Sequence, residues 1–129
     1  MNIKDFDRWN ELKKKIHDER KNVLYNQGEI WWCHLGVNVG FEEDGAGLDS
    51  ERPVVIVRRF SVQLCWVIPL STSLKNNPYY IKAGMISDQP ASAILSQMRP
   101  IDTKRLINMI GVMDKTIFSN TKRAAKGLL

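Results

Sequence analysis

The alternation of hydrophobic and polar positions divides the chain into a helix, a series of short strands and a second helix. In residues 5 to 24, apolar side chains recur at spacings of three, four and seven, which predicts an amphipathic helix. Its apolar stripe consists of Phe6, Trp9, Leu12, Ile16 and Val23. The other faces are densely charged, so we expect the stripe to pack against the domain or against another protein.

Short apolar segments fill most of the remaining chain. We predict strands at residues 29–35, 53–59, 62–70, 79–83, 92–98 and 107–113. The second and third strands are joined at the sequence RFS, residues 59–61, which is too short for anything but a hairpin. We predict a helical turn at residues 102–106 and a closing helix after Asp114, a good N-cap, with Ile117 and Ala124 or Ala125 facing inward. Many short strands without intervening helices favour a mainly β fold, a small barrel or sandwich.

The segment before the second strand contains the first candidate for chemistry. Residues 36–52 contain four glycines and five acids, and a loop of that length inside a compact domain is typically functional or mobile. It ends at Arg52, immediately before the apolar run that starts at Pro53. A cation at the mouth of a rigid, buried strand is either solvated or directed at a ligand, and the pattern alone leaves both interpretations open.

The charge of the chain is unevenly distributed. The 129 residues, about the size of one domain, carry a net charge of +5. Residues 1 to 98 contain 12 basic and 12 acidic side chains, whereas residues 99 to 129 contain seven basic and two acidic ones. The excess could form a face that meets phosphates or an acidic partner, or it could be a solvated helix surface.

Several classes of protein are disfavoured by composition. No apolar stretch approaches 18 residues, so we expect no membrane span, and the N-terminus lacks the apolar region of a signal peptide. The two cysteines, Cys33 and Cys65, each lie inside a predicted strand without the spacing of a disulfide framework. We therefore expect a cytoplasmic protein with reduced thiols, and neither a metal site nor a cofactor.

Several motifs occur in an order that resembles one known family. The phrases are GEIWWCHLG, GFEEDG, RPVVIV, VIPLST, SAILSQMRPIDTKRL and IGVM. Together they resemble the MazF/PemK toxins of bacterial toxin–antitoxin systems. The resemblance implies an SH3-like small β-barrel with a C-terminal helix over residues 26–129, preceded by a helical extension over residues 1–25. It also implies a homodimer, a cognate antitoxin, and metal-independent cleavage of single-stranded RNA.

The resemblance also implies the site. Arg52 matches the arginine that the family uses at the scissile phosphate, where its planar fork can hold two oxygens. Ser71 matches a hydroxyl that donates to a phosphate oxygen, and a shift of one residue would exchange it with Thr72. Glu42 matches a loop acid that could accept a proton or contact a base. An ion pair of Arg52 with Glu51 or Glu42 is the structural alternative.

Further candidates and two departures complete the expected site. Gln97 and Arg99 match the Q-x-R element of the family, and Lys75 is a candidate RNA contact in the loop after the third strand. Ser96 stands where many relatives carry an acid, and Phe41 stands where some carry a polar residue or histidine. Ser96 favours an alternative, a degenerate barrel that binds RNA or a protein partner without cleavage, and Phe41 excludes a mechanism built on a histidine at that position. A third possibility, an unrelated SH3-like interaction module, requires the R-P-V and Q-x-R matches to be accidental.

Overall fold

The computed structural model describes residues 23–36, 51–73 and 77–128, which form an antiparallel sheet followed by a helix. The strands are β1 (Glu29–His34), β2 (Glu51–Arg59), β3 (Leu64–Ser71), β4 (Tyr80–Ile86), β5 (Gln89–Ile94), β6 (Arg99–Asp102) and β7 (Leu106–Val112), and the helix is α1 (Lys115–Gly127). Short 3₁₀ turns cover Leu95–Gln97 and Thr103–Arg105.

The sheet is ordered β4-β5-β3-β2-β1-β7, and β6 pairs with β3 outside this path. One edge of β3 therefore has two partners: its first half, Leu64–Val67, pairs with β6, and its end, Leu70–Ser71, pairs with β5. Sharing one edge between two strands requires the sheet to split and curl there. The predicted mainly β fold, an SH3-like barrel with a C-terminal helix, is confirmed.

A hydrophobic cluster lies on each face of the sheet. The helix-side cluster includes Ile30, Val55, Val57, Ile68, Leu70 and Ala125. The tyrosine-side cluster includes Tyr25, Trp31, Cys33, Val54, Ile56, Val67 and Leu106. Because β2 contributes alternate residues to both clusters, Val54 to Ile56 are fully buried, and this explains the unbroken apolar run in its sequence. Both cysteines are free and buried.

Several element boundaries differ from the sequence predictions. The first strand and the hairpin are confirmed, and β2 begins two residues earlier, at Glu51. The strand predicted at 79–83 continues to Ile86, because Ser87 and Asp88 adopt positive φ angles of 49° and 63° and make a tight hairpin turn. The strand predicted at 92–98 ends at Ile94, where the chain enters a 3₁₀ turn. Strand β6 was not predicted.

The closing helix forms as the sequence predicts. The carboxylate of Asp114 accepts hydrogen bonds from the backbone N–H groups of Thr116 (3.0 Å) and Ile117 (3.1 Å), and so caps α1. Ala125 is buried, and Ile117 packs against the helix-side cluster. None of the helices in the described part of the chain is long and apolar enough to cross a membrane.

The predicted N-terminal helix falls largely outside the described residues, which begin at Val23. Val23 and Leu24, which the pattern placed at the end of that helix, are not helical. Val23 instead packs against the tyrosine-side cluster. The division into a 1–25 extension and a 26–129 barrel domain stays a prediction.

Candidate functional site

Arg52 and Ser71 lie at neighbouring strand ends. In the pairing of β2 with β3, Val54 is opposite Pro69, and continuing this register by two residues sets Arg52 opposite Ser71. The Nη1 of Arg52 donates to the carbonyl oxygen of Leu70 at 3.4 Å, which is consistent with that placement. Opposed residues of an antiparallel pair share one face of the sheet. The two residues therefore lie on one face of the sheet, at neighbouring strand ends.

Both side chains are held by burial. Arg52 and Ser71 are each only 8% exposed, so few positions are open to them. The Oγ of Ser71 accepts a hydrogen bond from the backbone N–H of Ser73 at 3.1 Å. This is the strand-end role that a hydroxyl commonly has. Because Oγ is the acceptor in this bond, its own hydrogen remains to be donated to a ligand.

A row of opposed residues extends this site across the sheet. Cys33 of β1 is opposite Arg52, and on the other side Ser92 of β5 is opposite both Ser71 and Lys82 of β4. We call Arg52, Ser71, Ser92 and Lys82 the polar row. It places two hydroxyls between two cations, and Lys82 is exposed. Such a row can bind an anionic chain at more than one point.

Two further arginines lie near Cys33. Burial is the main cause that raises the pKa of the Cys33 thiol, and the charges of Arg105 and Arg99 oppose that effect. Burial likewise lowers the pKa of Arg105, and Arg99 adds to this as a neighbouring cation. The Nη1 of Arg105 donates to the carbonyl oxygen of His34 at 3.3 Å, which joins the turn before β7 to the end of β1.

Arg99 lies on the same face as the polar row. It is opposite Val67 on β3, and Val67 and Ser71 point to the same face because they are four residues apart on that strand. The structure thus brings Arg52, Ser71 and Arg99 to one face of the sheet. Gln97 is half-buried in the 3₁₀ turn between β5 and β6, and Ser96 beside it is exposed.

The other residues that the sequence suggested for the site either lie off the face of Arg52 and Ser71 or fall outside the described residues. Thr72 follows the end of β3 and is exposed, so the buried position opposite Arg52 belongs to Ser71. Glu42 and Lys75 lie outside the described residues, as does Phe41. Glu51 precedes Arg52 in β2 and is opposite His34. Neighbouring residues of a strand point to opposite faces, so Glu51 does not share the face of Arg52.

The sequence interpretation assigned no role to Arg105, Ser92 or Lys82. Arg105 stands inside the quoted SAILSQMRPIDTKRL motif, so its position in that element was an available signal. Lys82 is the basic residue of an otherwise apolar strand segment, which indicates an outward-facing cation. In the described part of the chain, no three His, Cys, Asp or Glu side chains are placed to hold a metal ion.

Chains of known structure share this architecture. MazF of Deinococcus radiodurans (form I) matches with a TM-score of 0.66 at 13% identity, covering 82% of this chain and 96% of that one. A mycobacterial endoribonuclease in complex with its cognate antitoxin matches with a TM-score of 0.59 at 14% identity, covering 82% and 98%. Mycobacterium tuberculosis toxin MazF-mt6 matches with a TM-score of 0.51 at 22% identity, covering 66% and 91%.

At these identities the structural matches establish the fold alone, a small β-barrel. No similar sequence was found among curated proteins. The family model described as "PemK-like, MazF-like toxin of type II toxin-antitoxin system" matches residues 26–129, most of the chain. The chain therefore belongs to the PemK-like, MazF-like toxin family.

Proposed function

We propose that this protein is a metal-independent endoribonuclease that cleaves single-stranded RNA, messenger RNA in particular, at selected sequences. The proposal places its action in the cytoplasm. The observation that supports it is the buried Arg52, which the register of β2 and β3 sets opposite the buried Ser71, on the face that also bears Arg99 and Lys82. Membership of the toxin family supports the same activity.

The chemistry follows from what RNA supplies. The 2′-oxygen attacks the neighbouring phosphorus and loses its proton, and the bond from phosphorus to the 5′-oxygen breaks as that oxygen takes up a proton from water. The products are a 2′,3′-cyclic phosphate and a 5′-OH end. Arg52 stabilises the doubly charged phosphorane through its fixed, charged donors, and Ser71 donates to a phosphate oxygen. Arg52 acts by charge, since a guanidinium stays protonated.

The proton of the 2′-OH needs an acceptor, and we propose Glu42. Glu42 belongs to the part of the chain between β1, which ends at His34, and β2, which begins at Glu51, and these two residues are opposite each other. Each of them is next to a residue of the opposed pair Cys33 and Arg52. Position 96, where many relatives carry an acid, is an exposed serine in this chain. Thr72, Gln97, Arg99 and Lys75 are proposed to bind the RNA strand.

Cleavage with a matched pair of variants tests this proposal. The purified protein is incubated with long single-stranded RNA and EDTA, and the 5′ ends of the fragments are mapped. We expect discrete cuts with 5′-OH ends, and Arg52→Ala should slow cleavage by about 10²- to 10³-fold, as removal of a fixed oxyanion donor does. Arg58→Ala, an exposed arginine near the other end of β2, is the control and should cleave normally. Equal cleavage by both variants would contradict the role of Arg52.

The proposal includes two protein partners, a second copy of this chain and an antitoxin. Strand β7 lies at one end of the sheet order and exposes Ile107, Met109, Ile110 and Val112, the last of them 67% exposed. A contiguous apolar edge of this kind indicates an interface. We therefore propose that the homodimer forms through β7, and Met109→Lys should yield a monomer in sedimentation. The antitoxin would place an acidic segment over Arg52 and Lys82.

Ser96 favours a second candidate, a barrel that binds RNA without cleaving it. The same incubation separates the two. Retention of RNA on the protein without any new 5′-OH ends, with binding weakened in Arg52→Ala, would indicate the binding module. Discrete cuts that are lost in Arg52→Ala would reject it.

A further inference from the structure

Arg105 lies on the β1 side of Arg52, at the turn that leads into β7. It precedes Leu106, which is opposite Cys33 on β1, and Cys33 in turn is opposite Arg52 on β2. Two strand spacings, about 10 Å, therefore separate the start of β7 from Arg52. The Nη1 of Arg105 donates to the carbonyl oxygen of His34 at 3.3 Å, so its guanidinium lies at the end of β1, next to the position opposite Arg52.

A second guanidinium lies near that of Arg105, although the two arginines are on different strands. Arg99 begins β6 and is opposite Val67 on β3, two strands away from β1 in the sheet order. The charges of both arginines nevertheless act on the thiol of Cys33. Burial is the main cause that lowers the pKa of Arg105, Arg99 adds to it, and Asp102 offsets part of the effect. The curl of the sheet thus brings two half-buried arginines together beside Cys33.

Two half-buried cations that lie close together cost free energy unless an anion joins them. Burial and a neighbouring like charge both disfavour the charged form of a side chain, yet a guanidinium stays protonated. An anion bound between Arg99 and Arg105 would remove their repulsion, and each planar fork could donate to it. Charged groups held in such unfavourable surroundings are concentrated at functional sites. The pair therefore indicates a binding site for an anion.

We propose that Arg99 and Arg105 together bind one phosphate of the RNA strand, on the β1 side of the phosphate that Arg52 is proposed to bind. This inference rests on the endoribonuclease activity proposed above, and it assigns Arg105 a role in that site. An RNA phosphate is the favoured anion because Arg105 continues the polar row in the sheet order, with Lys82 on one side of Arg52 and Arg105 on the other. A contact of this kind fixes the position of the strand and reads no base.

The salt dependence of RNA binding tests whether the two arginines share a phosphate. The probe is a fluorescent single-stranded RNA of mixed sequence with 2′-O-methyl groups, which the full chain can bind but not cleave. Each phosphate contact on a single strand contributes about −0.7 to the slope of log K against log salt concentration. The double variant Arg99→Gln with Arg105→Gln should lose about 0.7 of that slope, which corresponds to one phosphate. A loss of about 1.4, which corresponds to two separate phosphates, or an unchanged slope would overturn the proposal.

Single variants separate phosphate binding from a purely structural role of Arg105. Arg105→Lys keeps the cation and should keep the slope, whereas Arg105→Gln should lower the affinity for the probe roughly tenfold at low salt. If both variants bind the probe as the unmodified protein does and differ from it only in thermal stability, Arg105 merely holds the carbonyl of His34, and the proposal is wrong. Arg123→Gln, at an exposed arginine of α1, is the control and should not change binding.

This measurement is independent of the proposed activity because the probe cannot be cleaved. An unmodified protein that binds the probe but does not cut ordinary RNA would refute the endoribonuclease, and the slopes would still decide whether Arg99 and Arg105 share a phosphate. An unmodified protein that does not bind the probe would overturn the phosphate site directly.

Discussion

Lys82 is expected to bind RNA although no sequence motif indicates it. It is exposed on β4, and its cross-strand partner Ser92 is also opposite Ser71. The polar row spans four adjacent strands, so Lys82 lies roughly 14 Å from Arg52 at the usual spacing between strands. At this distance Lys82 is too far away to contact the scissile phosphate that we propose Arg52 binds. We predict that it contacts a different phosphate of the same RNA strand.

The expected effect of Lys82→Gln on the salt dependence of RNA binding follows from counterion release. Each phosphate contact on a single strand contributes about −0.7 to the slope of log K against log salt concentration. Lys82→Gln should therefore reduce the magnitude of that slope by about 0.7. Between 50 and 200 mM salt, the affinity of the variant should fall roughly 2.6-fold less than that of the unmodified protein. The turnover of bound RNA should change little, because Lys82 does not contact the reacting phosphate.

Fluorescence anisotropy with a 2′-O-methyl RNA measures this slope without cleavage, since the blocked 2′-oxygen cannot attack. Lys115→Gln is the matched control, because Lys115 is an exposed lysine in the first turn of α1, outside the polar row. We expect the control to keep the slope of the unmodified protein. An unchanged slope in Lys82→Gln, or equal changes in both variants, would refute the argument from the polar row.

Three further predictions concern catalysis and stability. Ser71→Ala should slow cleavage about 10²-fold while Ser71→Thr retains it, since threonine keeps the hydroxyl, and single-turnover rates decide this. Burial raises the pKa of Cys65 from 9.0 to about 12 and that of Cys33 in the same direction, so the folded state holds both protons more tightly. The two thiols should therefore leave the free energy of unfolding unchanged below pH 9 and lower it above pH 9 by up to about 1.4 kcal/mol per pH unit for each thiol. Urea unfolding at a series of pH values should show a shallower fall in Cys65→Ala. Asp114→Ala should lower the free energy of unfolding by about 1 kcal/mol, whereas Lys115→Ala should leave it unchanged or slightly higher, because a cation at a helix N-terminus opposes the dipole.

Much of the fold could be predicted because its signals are local. The apolar run after Pro53, the short β2–β3 connection and the cap at Asp114 each identify an element from a few neighbouring residues. Strand β6 could not be predicted in this way. Its short segment becomes a strand because the first half of β3 has an edge free to pair with it, and that depends on where β5 ends. The extension of β4 to Ile86 likewise depends on its pairing with β5.

The residue types along the chain already indicate which side chains can do chemistry, and the resemblance singles out Arg52, Ser71, Glu42, Gln97 and Arg99 among them. Which residues share a face with Arg52 depends on how the strands pair in the folded sheet. A shift of one residue in strand pairing exchanges the faces of every side chain, and the register between distant strands is set by packing on both sides of the sheet. That register makes Ser71 the buried hydroxyl in place of Thr72, extends the row to Ser92 and Lys82, and excludes Glu51.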